Sequence, residues 1–124
     1  VAARIRRGQQ QGAADYIDLL DARARLIGVA RRRLAPFDAW LMPSVAILAP
    51  QVAALEADDA TFFATNGLVL RNASVINFLD GCALSLPCHA KGELPVGLGI
   101  CALAGEDARV LRIGRAVEAL LGAQ

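Results

Sequence analysis

Glycine and proline punctuate the second half of the chain at spacings that leave room only for short strands. Asn77-Phe78-Leu79-Asp80-Gly81 reads as a turn, and Cys82-Ala83-Leu84-Ser85-Leu86 as an apolar strand stopped by Pro87. Leu94-Pro95-Val96-Gly97-Leu98-Gly99-Ile100 reads as a second strand, opened by Pro95. Apolar runs this short, bounded by glycine and proline, predict strands rather than helices. Proline cannot donate to a strand ladder, so Pro87 and Pro95 belong at strand ends. Strand side chains alternate, which puts Gly97 and Gly99 on one face. A face without side chains suits close approach by another backbone or a ligand. The expectation is a sheet edge packed against something else.

The rest of the composition sharpens that expectation. In 124 residues there is room for one domain, and no internal repeat or low-complexity segment interrupts it. Apolar residues make up 56% and charged residues 20%, against typical values of about 45–50% and about 25%. A small domain has more surface per residue to cover with polar groups, so this excess runs the wrong way. Either the chain oligomerises or it is a piece of something larger. Val1 in place of methionine, and an opening that enters partway along a helix, favour the piece. The longest uncharged run, residues 39–55, falls short of the ~20 residues of a membrane span and contains Pro43 and Pro50. Arg4, Arg6 and Arg7 lead into Gly8-Gln9-Gln10-Gln11-Gly12, which is no apolar signal segment. Cys82, Cys88 and Cys101 leave at least one thiol unpaired and do not resemble a secreted disulfide framework. A reducing, cytoplasmic setting with no membrane partner is expected.

Charge is segregated. Residues 1–34 carry eight arginines against Asp15, Asp18 and Asp21, and the remainder carries nine acids against five basic residues. A basic arm for nucleic acid is one reading of such a pattern. Arg23, Arg25, Arg32 and Arg33, however, sit between apolar positions at helical spacing and share their segment with acids, so a solvated helix face is expected and no nucleic-acid partner.

In chain order, Ile17, Leu20, Ala24, Ile27 and Leu34 form one stripe of an amphipathic helix over residues 13–34. It should stop before Pro36. Residues 38–44 read as a short buried strand ended by Pro43, and residues 45–55 as a loop with at most a helical turn. Asp58 or Asp59 can cap a buried helix over residues 60–76. The two glycine- and proline-bounded strands follow, and after Gly105 a final helix runs to about Leu121. In that helix Val110, Val117, Leu120 and Leu121 are expected inside, with Arg109, Arg112 and Arg115 outside. The predicted class is α/β in the order α-β-α-β-β-α.

The chemistry-bearing residues have plain structural readings. Cys88-His89 pairs a thiol with a base, but neighbours on a strand point to opposite faces. The three cysteines and the single His89 lack any zinc spacing, so no metal is expected and the thiols read as small buried hydrophobes. Gly97-Leu98-Gly99 lacks the third glycine and the helix opening of a dinucleotide site, and no phosphate loop or nucleophile elbow is present. Ser44, Ser74 and Ser85 have no visible base. Asp58-Asp59 and Glu106-Asp107 are accounted for as helix-start residues. No cofactor is expected, and the residues by themselves define no reaction.

The ordered segments do resemble a family, the C-terminal part of amidase signature enzymes. Asp15-Tyr16 with Arg23 resembles the family's helix before its proline motif. Phe37-Asp38-Ala39-Trp40-Leu41-Met42-Pro43-Ser44 is similar to its strand ending in proline and a hydroxyl residue, and Ala49-Pro50 follows. Arg71-Asn72 and Asn77-Phe78-Leu79 resemble its Arg-Asn segment. Ser85-Leu86-Pro87-Cys88 and Leu94 to Ile100 resemble its closing strands, and Ala116-Val117-Glu118 its last helix. Asp80-Gly81-Cys82-Ala83 departs from it where the family more often carries glycine and proline.

The resemblance implies that residues 1–124 are the C-terminal fragment of an amidase domain, with no second domain: a mixed sheet edge flanked by helices. The parent enzyme would convert a carboxamide to carboxylate and ammonia through a nucleophilic serine, a serine in a cis peptide and a lysine base. Those residues would lie upstream, since Lys91 is the single lysine and no Gly-Gly-Ser-Ser run occurs. No catalytic residue is therefore assigned to this chain. The fragment would supply sheet edge and one wall of the substrate pocket, with Leu70 and Asn77 as candidate substrate-binding residues. Pro43, Pro87, Pro95, Gly97 and Gly99 would serve as structural positions. An apolar Leu70 where an amidotransferase would place an acid argues against glutamine and for a less polar amide. The partners implied are the missing N-terminal catalytic portion and a small-molecule amide. The alternative is a free-standing α/β binding or scaffold module that covers its apolar faces by homo-oligomerisation.

Overall fold

A computed structural model of the chain describes residues 2–122. Helix α1 (Ala2–Arg7) and a 3-10 turn (Gly8–Gln10) lead into the long helix α2 (Ala13–Leu34). The Asp15 carboxylate accepts the Gly12 N–H at 2.9 Å, which satisfies one of the orphan donors at the α2 start. Arg31, Arg32 and Arg33 occupy its last turn, where cations complement the dipole. Strand β1 (Trp40–Pro43) and helix α3 (Val52–Glu56) follow, then α4 (Asp59–Phe78), β2 (Cys82–Pro87), β3 (Gly97–Ala102) and α5 (Asp107–Leu121). No described helix is long and apolar enough to cross a membrane.

Asp58 caps α4. Its carboxylate accepts the Thr61 hydroxyl at 2.6 Å and the Thr61 and Ala60 backbone N–H groups at 2.8 and 3.3 Å. These bonds, the Thr61 hydroxyl first, hold its pKa below the ordinary aspartate value. The helix runs two residues beyond its predicted end, so Asn77 and Phe78 are helical rather than part of the turn. The turn itself is tight. Asp80 takes a left-handed φ of 56°, and the Gly81 N–H reaches back to the Ile76 carbonyl at 2.9 Å. A Cβ on Gly81 would lie 2.7 Å from the Ala102 carbonyl oxygen, so the residue there must lack a side chain.

The sheet order is β1-β3-β2, and both pairings are antiparallel. Two expectations are corrected here. The sheet is antiparallel throughout rather than mixed, and the glycine-rich strand is its centre rather than its edge. Gly97 and Gly99 permit close approach, but it comes from the two flanking strands at once. The strand at residues 38–44 is also less buried than expected: Trp40 is half-buried and Leu41 exposed.

Helix α5 covers one sheet face. Leu86, Ile100 and Ala102 pack there with Val110, and Leu84, Ile113, Val117 and Leu121 complete the cluster. Gly114 brings the helix close, since a Cβ there would lie 2.1 Å from Leu84 Cδ2. Leu120, expected inside, is 72% exposed; it falls at the margin of the 110-113-117-121 stripe, and Ile113 takes its place. Helix α4 lies on the opposite face. The predicted α2 stripe is covered only in its C-terminal half: Ile27 and Leu34 are half-buried, whereas Ile17, Leu20 and Ala24 are exposed. Arg23 is only partly solvated. It forms an ion pair with Asp80, and its guanidinium lies 6.0 Å from the centre of the Phe78 ring.

Candidate functional site

The polar groups that the fold concentrates lie on the α4-facing side of the sheet. Ser44 follows β1 directly and Ser85 is in β2, on opposite sides of the central strand. Because Gly97 has no side chain, the two hydroxyls meet above it, Oγ to Oγ at 2.5 Å. A Cβ on Gly97 would lie 2.5 Å from Ser85 Oγ and 2.7 Å from Ser44 Oγ. The Ser44 N–H donates to the Gly97 carbonyl at 2.8 Å, which extends the β1–β3 ladder by one bond.

Asn72 locks α4 onto this arrangement. It is 7% exposed, and its Nδ2 donates to the Pro43 carbonyl at 2.7 Å while its Oδ1 accepts from Arg71 Nε at 3.3 Å. Both polar ends of a buried amide are thus satisfied, as burial requires. Between α4 and the sheet lies a cavity of about 170 Å³ lined by both serines, Met42, Ile76, Gly99 and Cys101. Burial pushes the Cys101 thiol above its ordinary pKa, with the Cys82 sulfur adding to the shift.

This constellation can donate and accept hydrogen bonds; it holds no base. Among the described residues no serine hydroxyl is hydrogen-bonded to a lysine or histidine. Lys91 lies in the β2–β3 turn. His89 Nδ1 is committed to the Val96 backbone, 3.3 Å from its N–H, and Cys88 donates its own N–H to the Val96 carbonyl at 3.0 Å. No group of three metal-ligating side chains occurs among the described residues.

The sequence-predicted positions fall into two groups. Pro43 and Pro87 end β1 and β2, Pro95 precedes β3, and Gly97 and Gly99 sit in β3 beneath the serines, so these five come together. Leu70 and Asn77 do not join them. They are two turns apart on α4, both exposed, and neither lines the cavity over the serine pair. The serine pair and the Asn72 anchor were missed as a unit, although Ser44, Ser85 and Asn72 each occur in a segment that the family resemblance picks out.

No protein-family profile matches the chain, and no solved structure matches it. Curated relatives do exist. A 2-amino-5-chloromuconic acid deaminase of Comamonas testosteroni is 28% identical over 123 residues, 98% of this chain and 26% of the deaminase. A fatty acid amide hydrolase of Medicago truncatula is 30% identical over 113 residues, 89% of this chain and 18% of the hydrolase. An uncharacterised Rhodococcus erythropolis protein, from the region 5′ of nthA, is 34% identical over 90 residues, 73% of this chain and 45% of that protein. The chain spans less than half the length of each of these relatives. Over most of its length it is similar, at a distance, to amidase-type enzymes.

Proposed function

We propose that this chain is the C-terminal portion of an amidase signature hydrolase, which in its entirety converts a carboxamide and water to a carboxylate and ammonia. The observation that carries the reading is the ordered set of segments: the Pro43-Ser44, Arg71-Asn72, Ser85-Leu86-Pro87 and Leu94 to Ile100 motifs. Similarity to two amidase-type enzymes runs through 98% and 89% of the chain and so across all of them. In the fold they converge, with Asn72 holding Pro43 and Ser44 meeting Ser85.

In this reading the portion positions rather than reacts. A nucleophilic serine needs a base within hydrogen-bond reach, and the described residues supply none, so the serine and lysine belong to the remainder of the enzyme. The three strands give that remainder a rigid sheet to build on. The exposed α4 face carrying Leu70 and Asn77 forms one wall of the substrate pocket. Leu70, 42% exposed and apolar, suits an amide without a charged group at that position.

An antibody against this region, used on an extract of the source cell, tests the reading. The expected product is several times heavier than the 13.0 kDa of this chain, and its purified form releases ammonia from a carboxamide. A native product of 13.0 kDa overturns the proposal.

A further inference from the structure

The turn between α4 and β2 contains a chemically labile pair of residues. Of the aspartates in the sequence, Asp80 alone is followed by glycine. A glycine nitrogen, with no side chain beside it, is the least hindered from attacking the carboxyl group of the preceding residue. The fold cannot dispense with that glycine, since a Cβ on Gly81 would lie 2.7 Å from the Ala102 carbonyl oxygen. Nor is the aspartate in a relaxed backbone conformation. Its φ of 56° is left-handed, a region that few residues other than Gly, Asn and Asp enter.

Two contacts engage the groups that would react. Arg23 of α2 pairs with Asp80 Oδ1, so the carboxyl group must leave that pair before it can turn towards its own main chain. The Gly81 N–H donates to the Ile76 carbonyl at 2.9 Å, and the nitrogen must give up that bond and its proton before it can attack. The first contact comes from 57 positions away, the second from the end of α4. The Arg23 and Asp80 side chains are 31% and 55% exposed, so water reaches the site as soon as the pair opens.

We propose that Asp80-Gly81 is a site of spontaneous isoaspartate formation, held in check by Arg23 and by the Ile76 carbonyl. The Gly81 nitrogen attacks Asp80 Cγ, and one carboxyl oxygen leaves as water with the amide proton and the carboxyl proton. The product is a cyclic succinimide. Water reopens the ring at either carbonyl, giving back aspartate or an isoaspartate whose main chain runs through the side-chain methylene. Composition is unchanged overall, and no co-reactant besides water is needed. The extra methylene lengthens a turn in which Gly81 is seated against Ala102, so the isomer loses the fit of α4 to β2 and the hold of Arg23 on it. This inference is independent of the chemistry of the parent enzyme.

Storage of the native polypeptide containing this region at neutral pH, followed by peptide mapping with enzymatic methylation of isoaspartate, is the test. The folded wild type should gain isoaspartate at residue 80 severalfold more slowly than the same chain in urea. Arg23→Ala should raise the folded-state rate severalfold. Salt screens a partly exposed pair, so it should raise the rate in the wild type and leave the variant unchanged. Asn66-Gly67, a labile pair held within α4, is the internal control for unfolding, and its deamidation should keep the wild-type rate in Arg23→Ala. A wild type that isomerises as fast folded as unfolded would overturn the proposal, as would an Arg23→Ala variant that ages no faster. Equal acceleration at Asn66 and Asp80 would also overturn it, because Arg23 would then act only through the stability of the whole chain.

Discussion

Asn72 is the residue whose replacement most directly tests how α4 and the sheet are joined. Its amide is 7% exposed and donates to the Pro43 carbonyl at 2.7 Å. Asn72→Ala leaves that carbonyl without its partner, at a cost of about 1–3 kcal/mol. With a urea m-value of ~2 kcal/mol/M, a loss of ~2 kcal/mol lowers the unfolding midpoint by ~1 M. Asn72→Asp has nearly the same shape and should behave differently. A carboxylate placed against a carbonyl oxygen is repelled, whereas the protonated acid can donate its O–H and restore the bond. Burial and this repulsion outweigh the exposed Arg71 guanidinium, whose Nε lies 3.3 Å from Oδ1, so the folded state raises the pKa of the new aspartate above its unfolded value of about 3.9. The sign follows from linkage: the variant's stability is fully present below pH ~3.9 and is lost as pH rises through the folded pKa. The measurement is a set of urea titrations from pH 3 to 8, with each variant compared to the wild type at the same pH. The Asp variant should converge on the wild type in acid and fall to or below the Ala variant at neutral pH. Two equal, pH-independent losses would refute the reasoning, because they would mean that side-chain volume rather than the Pro43 bond holds α4.

Three other outcomes follow from the same geometry. Gly81→Ala drives a Cβ to 2.7 Å from the Ala102 carbonyl oxygen, a backbone atom with little room to yield; it should cost about 1–3 kcal/mol in chemical denaturation. Asp80 combines a left-handed φ with a half-exposed ion pair to Arg23. A left-handed conformation costs most residues roughly 1–2 kcal/mol and an exposed pair contributes about 0.2–1 kcal/mol, so Asp80→Gly should be neutral or stabilising and Asp80→Val destabilising in thermal melts. Asp80→Gly should gain more in an Arg23→Ala background, where no pair is lost. Among the thiols, exposed Cys88 should react first with iodoacetamide, and buried Cys101 only as the chain unfolds. Burial raises the Cys101 pKa in the folded chain, so the thiol stays protonated there, and the stability it contributes is present below the unfolded thiol value and is lost as pH rises above it. Peptide mass mapping over time gives the order, and early labelling of Cys101 would contradict the packing.

What could be read from the sequence is what local chemistry determines. Asp58 lies just before an apolar segment and caps α4, Pro36 and Pro43 end their elements, and Gly105 with Asp107 opens α5, each through a preference that operates within a few residues. The α5 stripe was legible except at its margin, where Leu120 and Ile113 exchange places. What was not legible depends on residues far apart in the chain. Arg23 and Asp80 are 57 positions apart, and Ser44 and Ser85 are 41 apart, so no spacing rule could have joined them. The glycines of β3 signalled close approach without indicating its direction, and a central strand approached from both sides carries the same signature as an edge.

The apolar excess of the chain reaches the surface on most elements, and on α2 it is contiguous. Exposed apolar side chains run from Ile5 through Phe37, Leu41 and Leu94 to Leu120, and taken singly such exposures are ordinary for any protein. On α2, however, Tyr16, Ile17, Leu19 and Leu20 are contiguous on one half of a helix whose other half opens onto an apolar groove. Contiguous exposure of this kind marks a contact surface. The α4 side bearing Phe62 and Leu70 is a second such surface, on an element that the proposed function places beside the catalytic portion of the enzyme. In the proposed enzyme both surfaces are contacts with the remainder of the same chain, which is where apolar side chains left uncovered in a portion of a fold belong.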